Sequence, residues 1–332
     1  MLPARGNAAQ QPYNTLLSDQ LERDGWIVDE AYKRWIYRPW SARIFHVHWP
    51  EYLFRGRFAV LRTIVTIYAL IVHRMFHGEV IQTIHNVRPH EGILTLREGL
   101  GLSIVDRLTT GVLVHSETAA QSLRTKRPSL RPKRIEVVGL PLYPVLATNS
   151  TRGDTRQALA IGDDVCLFLH FGQQRRYKGT LDLLSVWIHD PPTGSHLLLA
   201  GLPDELTEKE INRLVDPSRH VSADLRLLPA IELHKLIIAS DIVVLPYEHI
   251  DTSGSVALAL SLGRPVLVPD MPLMRDLGLR VGKEWVVTYA GKFSSAALLS
   301  GRQDPRRQLG SIRSSLFPTY QDLARTCAAL YG

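Results

Sequence analysis

What most constrains the fold of this chain is a unit that recurs along it: a short continuous apolar run, a turn of glycine, hydroxyl or basic residues, then apolar positions at helical spacing. Runs without polar alternation belong to strands buried on both faces, as in parallel sheets covered by helices. The clearest are residues 165–171 and 242–245. Others fall at 26–28, 43–48, 79–84, 111–115 and 135–138 in the first half, and at 196–200, 224–228, 265–268 and 285–289 in the second. Helices are expected at 12–21, 58–76, 116–123, 180–187, 256–262 and 320–330. Between the two series, residues 144–164 are rich in Ser, Thr, Gly and Asp with one helix fragment, the profile of a connection between domains. The expected architecture is α/β, with two doubly wound Rossmann-like domains, 1–150 and 151–332, facing across a cleft, and a terminal helix that crosses back.

Two turns in the second half carry the chemistry. Residues 165–171 run into Gly172, Gln173, Arg175, Arg176, Lys178 and Gly179 before the next helix, so helix N–H groups and cationic side chains converge at one strand end. Residues 242–245 lead through Pro246 and Tyr247 to Thr252, Ser253, Gly254 and Ser255, a helix start of small residues that leaves backbone N–H groups open to an anion. Two such turns in one sheet can hold a diphosphate between them.

The first half presents different groups. His48 and Glu51 flank Trp49 and Pro50 at the end of one run, and His85, Asn86, Arg88, His90 and Glu91 follow another. In a parallel sheet these ends lie on the carboxyl edge, where open α/β sheets bind ligands. A metal on His85, His90 and Glu91 is disfavoured, because the spacing is not the helical i, i+4 pattern and no cysteine joins them. Hydrogen-bonding and acid–base roles fit better. Residues 58–76 form the most apolar helix, but Arg62, His73 and Arg74 interrupt or close it, leaving it too short to span a bilayer. With Arg55, Arg57, Arg62 and Arg74 around it, the helix suits either a core position with the arginine heads reaching water or an anionic membrane surface.

Composition sets outer limits. At 332 residues, 45% hydrophobic and 21% charged, the chain can bury two substantial cores. A formal net charge of +7 points to anionic partners, while the absence of zinc-finger spacing, an RNP-like string or a long basic run argues against nucleic acid. Cys166 and Cys327 lie far apart, so no disulfide framework is expected. The polar start of the chain is unlike a signal peptide, and a reducing cytoplasm, including the inner face of its membrane, is the expected compartment.

These strings resemble a known family. Gly172-Gln173 through Arg175 and Tyr177-Lys178-Gly179, then Ser240-Asp241 through Pro246-Tyr247, Thr252-Ser253-Gly254-Ser255 and Gly263-Arg264-Pro265, look like the donor half of GT-B glycosyltransferases. His46 through Glu51 and Thr83 through Glu91 are similar to the acceptor half of bacterial members that build exopolysaccharides and lipid-linked glycans, several of which use GDP-mannose. The resemblance implies a hexosyltransferase that takes a nucleoside-diphosphate sugar, with GDP-mannose favoured, and a glycan or polyprenyl-diphosphate-linked acceptor. It implies that Arg175 and Lys178 pair with the diphosphate, that N–H groups at Ser253, Gly254 and Ser255 hold its oxygens, and that His85 lies beside the donor sugar. Cations and a helix terminus then stabilise the leaving group, so no cofactor or divalent metal is expected. Glu51 and Glu91 are the candidates for the carboxylate that takes the acceptor proton, and only one can be the base.

Three departures qualify the resemblance. The two glutamates that many retaining members carry before Gly-x-Pro fall here on Ile250 and Leu258, leaving Tyr247 or backbone groups to hold the ribose and putting a retaining mechanism in doubt. Gln173 stands where many relatives have arginine, so Arg175 is expected to supply that charge. The first strand usual before the helix at Pro12 is missing or disguised. Two other classes compete: a nucleotide-sugar epimerase of the same fold, and a noncatalytic membrane-associated binder of nucleotide sugars.

Overall fold

The computed structural model describes residues 1–5, 12–56, 58–86, 95–248, 253–302, 304 and 312–332. It divides into two compact units, Met1–Pro141 with Pro318–Gly332, and Leu142–Phe317.

In the first unit, α1 (Pro12–Arg23) and α2 (Tyr32–Tyr37) precede β1 (Ile44–Val47), and α3 (Ala59–Met75), β2 (Glu79–Ile84), α4 (Leu96–Leu108), β3 (Gly111–Val114), α5 (Glu117–Lys126) and β4 (Arg134–Val137) follow. The four strands pair in the order β1-β2-β3-β4, all parallel. Local chemistry sets the helix starts. Ser116 accepts the Ala119 N–H at the start of α5, and Thr95 with Glu98 forms a reciprocal capping box on α4, a helix outside the expected set.

No strand forms at 26–28. Ile27 is 97% exposed there, and Trp26 packs edge-on against Tyr331. The place beside β1 is taken by Leu2, whose N–H donates to the His46 carbonyl (2.8 Å) while its own carbonyl accepts from the His48 N–H (3.0 Å). Leu2 bridges Val47 in parallel, so the strand expected ahead of α1 is reduced to this stub.

The second unit runs α6 (Arg152–Ala158), β5 (Cys166–Phe171), α7 (Thr180–His189), β6 (Ser195–Ala200), α8 (Glu205–Leu214), β7 (Val221–Asp224), α9 (Ala230–Ala239), β8 (Ile242–Val244), α10 (Gly254–Ser261), β9 (Val266–Pro269), α11 (Pro272–Val281), β10 (Val286–Tyr289) and α12 (Ser295–Gly301). Its six strands are parallel in the order β10-β9-β8-β5-β6-β7. Alternate residues of β5 feed two cores, Leu167, Leu169 and Phe171 on one face and Cys166 and Phe168 on the other. The strand expected at 224–228 is instead β7, which ends at Asp224, because Val221 through Asp224 is the stretch that pairs with β6.

The division between units falls at Pro141/Leu142, earlier than the limit at 150 expected from composition. Residues 144–164 are not a free connection, because α6 is docked: fully buried Arg156 donates to the Ala239 carbonyl (3.0 Å), the Gly162 carbonyl (2.6 Å) and Asp241 (3.2 Å). The last helix, α13 (Tyr320–Tyr331), returns to the first unit and packs on α1 and β3.

Candidate active site

In the second sheet the strand order reverses at β5. The chain moves from β5 outward to β6 and β7, then returns to place β8 on the other side of β5. Crevices at the carboxyl ends of the strands flanking such a reversal are where open α/β sheets bind ligands. Both basic and hydroxyl turns lie here, one after β5 and one after β8.

The turn after β5 is held open by its backbone. Gly172 has φ +104°, and a side chain at this residue would run into Lys178, whose Nζ lies 2.7 Å from the point a Cβ would occupy. Ser255 Oγ is 3.9 Å from the same point, so the ammonium, a hydroxyl and the Gly172 backbone converge. Gly179 has φ +72°, and a Cβ there would overlap the Pro246 carbonyl oxygen, so only glycine lets the two turns approach this closely. Glu248 N–H donates to the Tyr177 carbonyl (3.0 Å), a second tie between them.

Gln174, a residue with no expected role, organises this turn. Its buried side chain donates to the Gly172 and Ala200 carbonyls (both 3.1 Å) and accepts from the Thr180 hydroxyl (2.9 Å). Its neighbour Gln173 is half-buried, as are Arg175 and Lys178. Loss of hydration lowers the Lys178 pKa to about 8, and the Arg175 charge adds to the effect. Among the described residues no carboxylate pairs with this cation, and a cation short of water in this way is suited to an anion.

The turn after β8 supplies the other donors. Ser253 caps α10, its Oγ accepting from the Val256 N–H (3.1 Å), which leaves the N–H groups of Gly254 and Ser255 at the helix start. Buried Tyr247 is hydrogen-bonded to Ser255 and Ser253; burial raises its pKa and those bonds partly offset the rise. Of the residues expected at this site, Gly172, Lys178, Tyr247, Ser253, Gly254 and Ser255 come together, while Thr252 lies outside the described residues. Leu258, where a glutamate would stand in many retaining members, packs against the core.

At the carboxyl edge of the first sheet stands a row of rings. His48 Nδ1 is 3.1 Å from His85 Nε2, Trp49 stacks on His85 with centroids 4.7 Å apart, and Tyr13 meets His48, His85 and His115 edge-on. His46 is held between the hydroxyls of Tyr331 (2.7 Å) and Thr83 (2.8 Å), and His115 Nδ1 donates to the Val138 carbonyl (2.9 Å). Burial lowers His46 to about 3 and His115 to about 4, and pushes His48 well below the usual histidine range. These three are neutral at neutral pH, so the row offers hydrogen bonds and ring faces rather than charge.

Glu51 sits in the short 3-10 turn that follows β1, and loss of hydration raises its pKa, the direction that suits a proton acceptor. Glu91 and His90 lie outside the described residues. Among those described, no group of three or more His, Cys, Asp or Glu is arranged to hold a metal ion.

Two parallel-sheet α/β units, one with cationic and hydroxyl turns meeting at its reversal point, define a GT-B glycosyltransferase. Solved structures share this fold: HepE of Anabaena (TM-score 0.61, 13% identity, 90% of this chain and 78% of that one) and the lipopolysaccharide glycosyltransferase WaaG (TM-score 0.61, 15% identity, 97% and 91%). No protein-family model matches the chain. Over 273 residues it is 31% identical to the GDP-mannose:glycolipid 4-beta-D-mannosyltransferase of Xanthomonas campestris pv. campestris strain ATCC 33913, covering 80% of this chain and 71% of that protein. A second Xanthomonas campestris pv. campestris protein of the same name is 31% identical over 277 residues, covering 80% and 71%. The chain belongs to this family of glycosyltransferases and is a hexosyltransferase, which sets aside both the epimerase and the noncatalytic binder.

Proposed function

We propose that the enzyme transfers mannose from GDP-mannose to a lipid-linked glycan during exopolysaccharide assembly, with inversion at the anomeric carbon and without a metal ion. The observation that carries this reading is the 31% identity to mannosyltransferases named for GDP-mannose, a glycolipid acceptor and a β product. GDP-mannose holds its sugar in α linkage, so a β product requires attack from the opposite face. One in-line displacement needs one base and no carboxylate nucleophile.

In this mechanism the acceptor hydroxyl attacks the anomeric carbon, Glu51 takes its proton, and the bond from that carbon to the diphosphate breaks. Charge develops on the departing diphosphate, where Lys178, Arg175 and the N–H groups opening α10 stabilise it. They supply the positive charge that a divalent ion provides in other glycosyltransferases. His85 borders the sugar.

The acceptor side is a membrane face. No helix among the described residues is long and apolar enough to cross a bilayer, but the solvent side of α3 is apolar: Val60, Leu61, Ile64, Tyr68, Ile71 and Met75 are all exposed. At 100° per residue these six fall within one arc of about 100°, opposite the arc that buries Thr63, Thr66, Ala69, Leu70 and His73. Trp40 and Phe76, also exposed, extend the patch. A helix whose water-facing side is its apolar one, with Arg74 nearby, fits the headgroup boundary of an anionic membrane.

The test is transfer of radiolabelled mannose from GDP-mannose to lipid-linked acceptor extracted from the producing cells, with and without EDTA. Label in the organic phase, as a β-mannoside and undiminished by EDTA, is the expected result. An α-linked product overturns inversion; activity restored only by magnesium or manganese overturns metal independence; and no transfer from GDP-mannose while UDP-sugars serve overturns the donor.

A further inference from the structure

Tyr143 lies just past the division at Pro141/Leu142, immediately before the stretch whose composition reads as connection, and it is fixed on α10. Its backbone N–H donates to Ser261 Oγ (2.8 Å) in the last turn of that helix, and its side chain runs back to the first turn. There the phenol oxygen stands 3.2 Å from the point a Cβ on Gly254 would occupy. Gly254 has an ordinary helical backbone, so its glycine is explained by space: any side chain would close the opening between the phenol and the helix start.

Among the described residues no protein group bonds to the Tyr143 hydroxyl, although the ring is half-buried. A hydroxyl at such a place ordinarily finds a partner. The N–H groups of Gly254 and Ser255, which the Ser253 cap does not take, open the same helix, and Ser255 Oγ stands 3.9 Å from the point a Cβ on Gly172 would occupy, with Lys178 Nζ 2.7 Å from that point. All of these are donors. Their common partner is an anion with several oxygens.

We propose that Tyr143 is a donor-binding residue, its hydroxyl donating a hydrogen bond to the diphosphate of the nucleoside-diphosphate sugar held at the first turn of α10. The inference rests on the donor site described above and adds a ligand from the segment that joins the two units. An occupied site adds a second tie between Tyr143 and α10 beside the Ser261 bond. Burial raises the Tyr143 pKa, which keeps the phenol protonated and a donor at any working pH.

Calorimetry with GDP, and with UDP beside it, tests this on wild type, Tyr143→Phe and Lys178→Ala, with a thermal melt of each protein in the absence of nucleotide. The Phe variant keeps the ring and the backbone bond to Ser261, so its melting temperature is expected to equal wild type. Its diphosphate Kd is expected to rise about tenfold, the effect of one bond to a charged oxygen, with GMP binding changed much less. Diphosphate affinity equal to wild type in Tyr143→Phe, with affinity lost in Lys178→Ala, overturns the role of Tyr143 and leaves the donor site standing. Affinity unchanged in both variants, or no diphosphate binding by wild type, overturns the donor site and this inference together. Weakened binding accompanied by a lower melting temperature assigns Tyr143 to structure and overturns it as well.

Discussion

Lys178 is the residue on which the proposed donor binding turns. Its ammonium has lost hydration, no carboxylate among the described residues pairs with it, and a bound diphosphate would offset that cost. Replacing it by Ala is expected to weaken GDP binding by about 1.5 to 3 kcal/mol, roughly 10- to 100-fold in a calorimetric Kd. The pH dependence follows from its lowered pKa of about 8. Diphosphate binds the protonated form, so affinity should be flat below pH 7, fall as pH rises through 8, and be accompanied there by proton uptake. Lys178→Arg should extend the flat region to higher pH, and an identical profile in both proteins would mean that another group titrates. For Glu51, the proposed base, the sense is opposite, since a base must be ionised and its pKa is raised. The acid limb of kcat should therefore lie above the usual glutamate range. Glu51→Gln should lower kcat by about 10²- to 10⁴-fold with GDP affinity unchanged. Full activity in that variant would pass the role of base to Glu91.

Two elements carry mechanical predictions. The turn joining β5 to α7 needs glycine at residue 179 because its φ of +72° and the Pro246 carbonyl exclude a Cβ. Gly179→Ala should cost about 1 to 3 kcal/mol in denaturant unfolding, combining left-handed strain with displacement of the neighbouring turn, and should weaken GDP binding as the two turns move apart. A variant as stable as wild type would show that the turns separate freely. For α3, arginines alone are a poor probe of membrane docking: Arg55 is paired with Glu98 (2.8 Å), and Arg62 bonds to the Arg55 carbonyl (3.3 Å) and covers the Tyr32 ring. Arg57 lies outside the described residues. The exposed apolar stripe is the cleaner target. A Leu61→Ser, Ile64→Ser, Tyr68→Ser protein should melt like wild type and bind GDP, yet no longer sediment with anionic liposomes. Sedimentation equal to wild type would reject the membrane face.

At the scale of the whole molecule, the chain closes its first unit with its last helix. Leu323, Cys327, Leu330 and Tyr331 of α13 are buried there, and the Tyr331 hydroxyl fixes His46. Burial of four such side chains corresponds to roughly 6 kcal/mol or more, comparable to the net stability of a domain. Deleting residues 318–332 should therefore abolish cooperative melting of the first unit while the second still binds GDP. A truncated protein with an unchanged melt would show that α13 is only an attachment.

Periodicity and turn chemistry were enough to read the parallel strands, the basic turn after β5 and the hydroxyl turn before α10, because those signals are local: continuous apolar runs, glycines at sharp turns and a capping serine. What depends on packing was not legible. The strand read at 26–28 is absent because Leu2, distant in sequence, takes the place beside β1. Gln174 and Tyr143 carry no motif, and their contacts arise only where the strand reversal brings the two turns and α10 together. The apolar stripe of α3 was visible as composition, but which side met water was not, since a buried face lined with Thr63, Thr66 and His73 defeats the usual rule of polar side outward. Sequence alone determined the strand-and-turn grammar and the basic and hydroxyl residues at two strand ends. Tertiary structure decided which side chains meet, because hydrogen bonds and close glycine contacts act over about 3 Å between residues that the chain holds tens of positions apart.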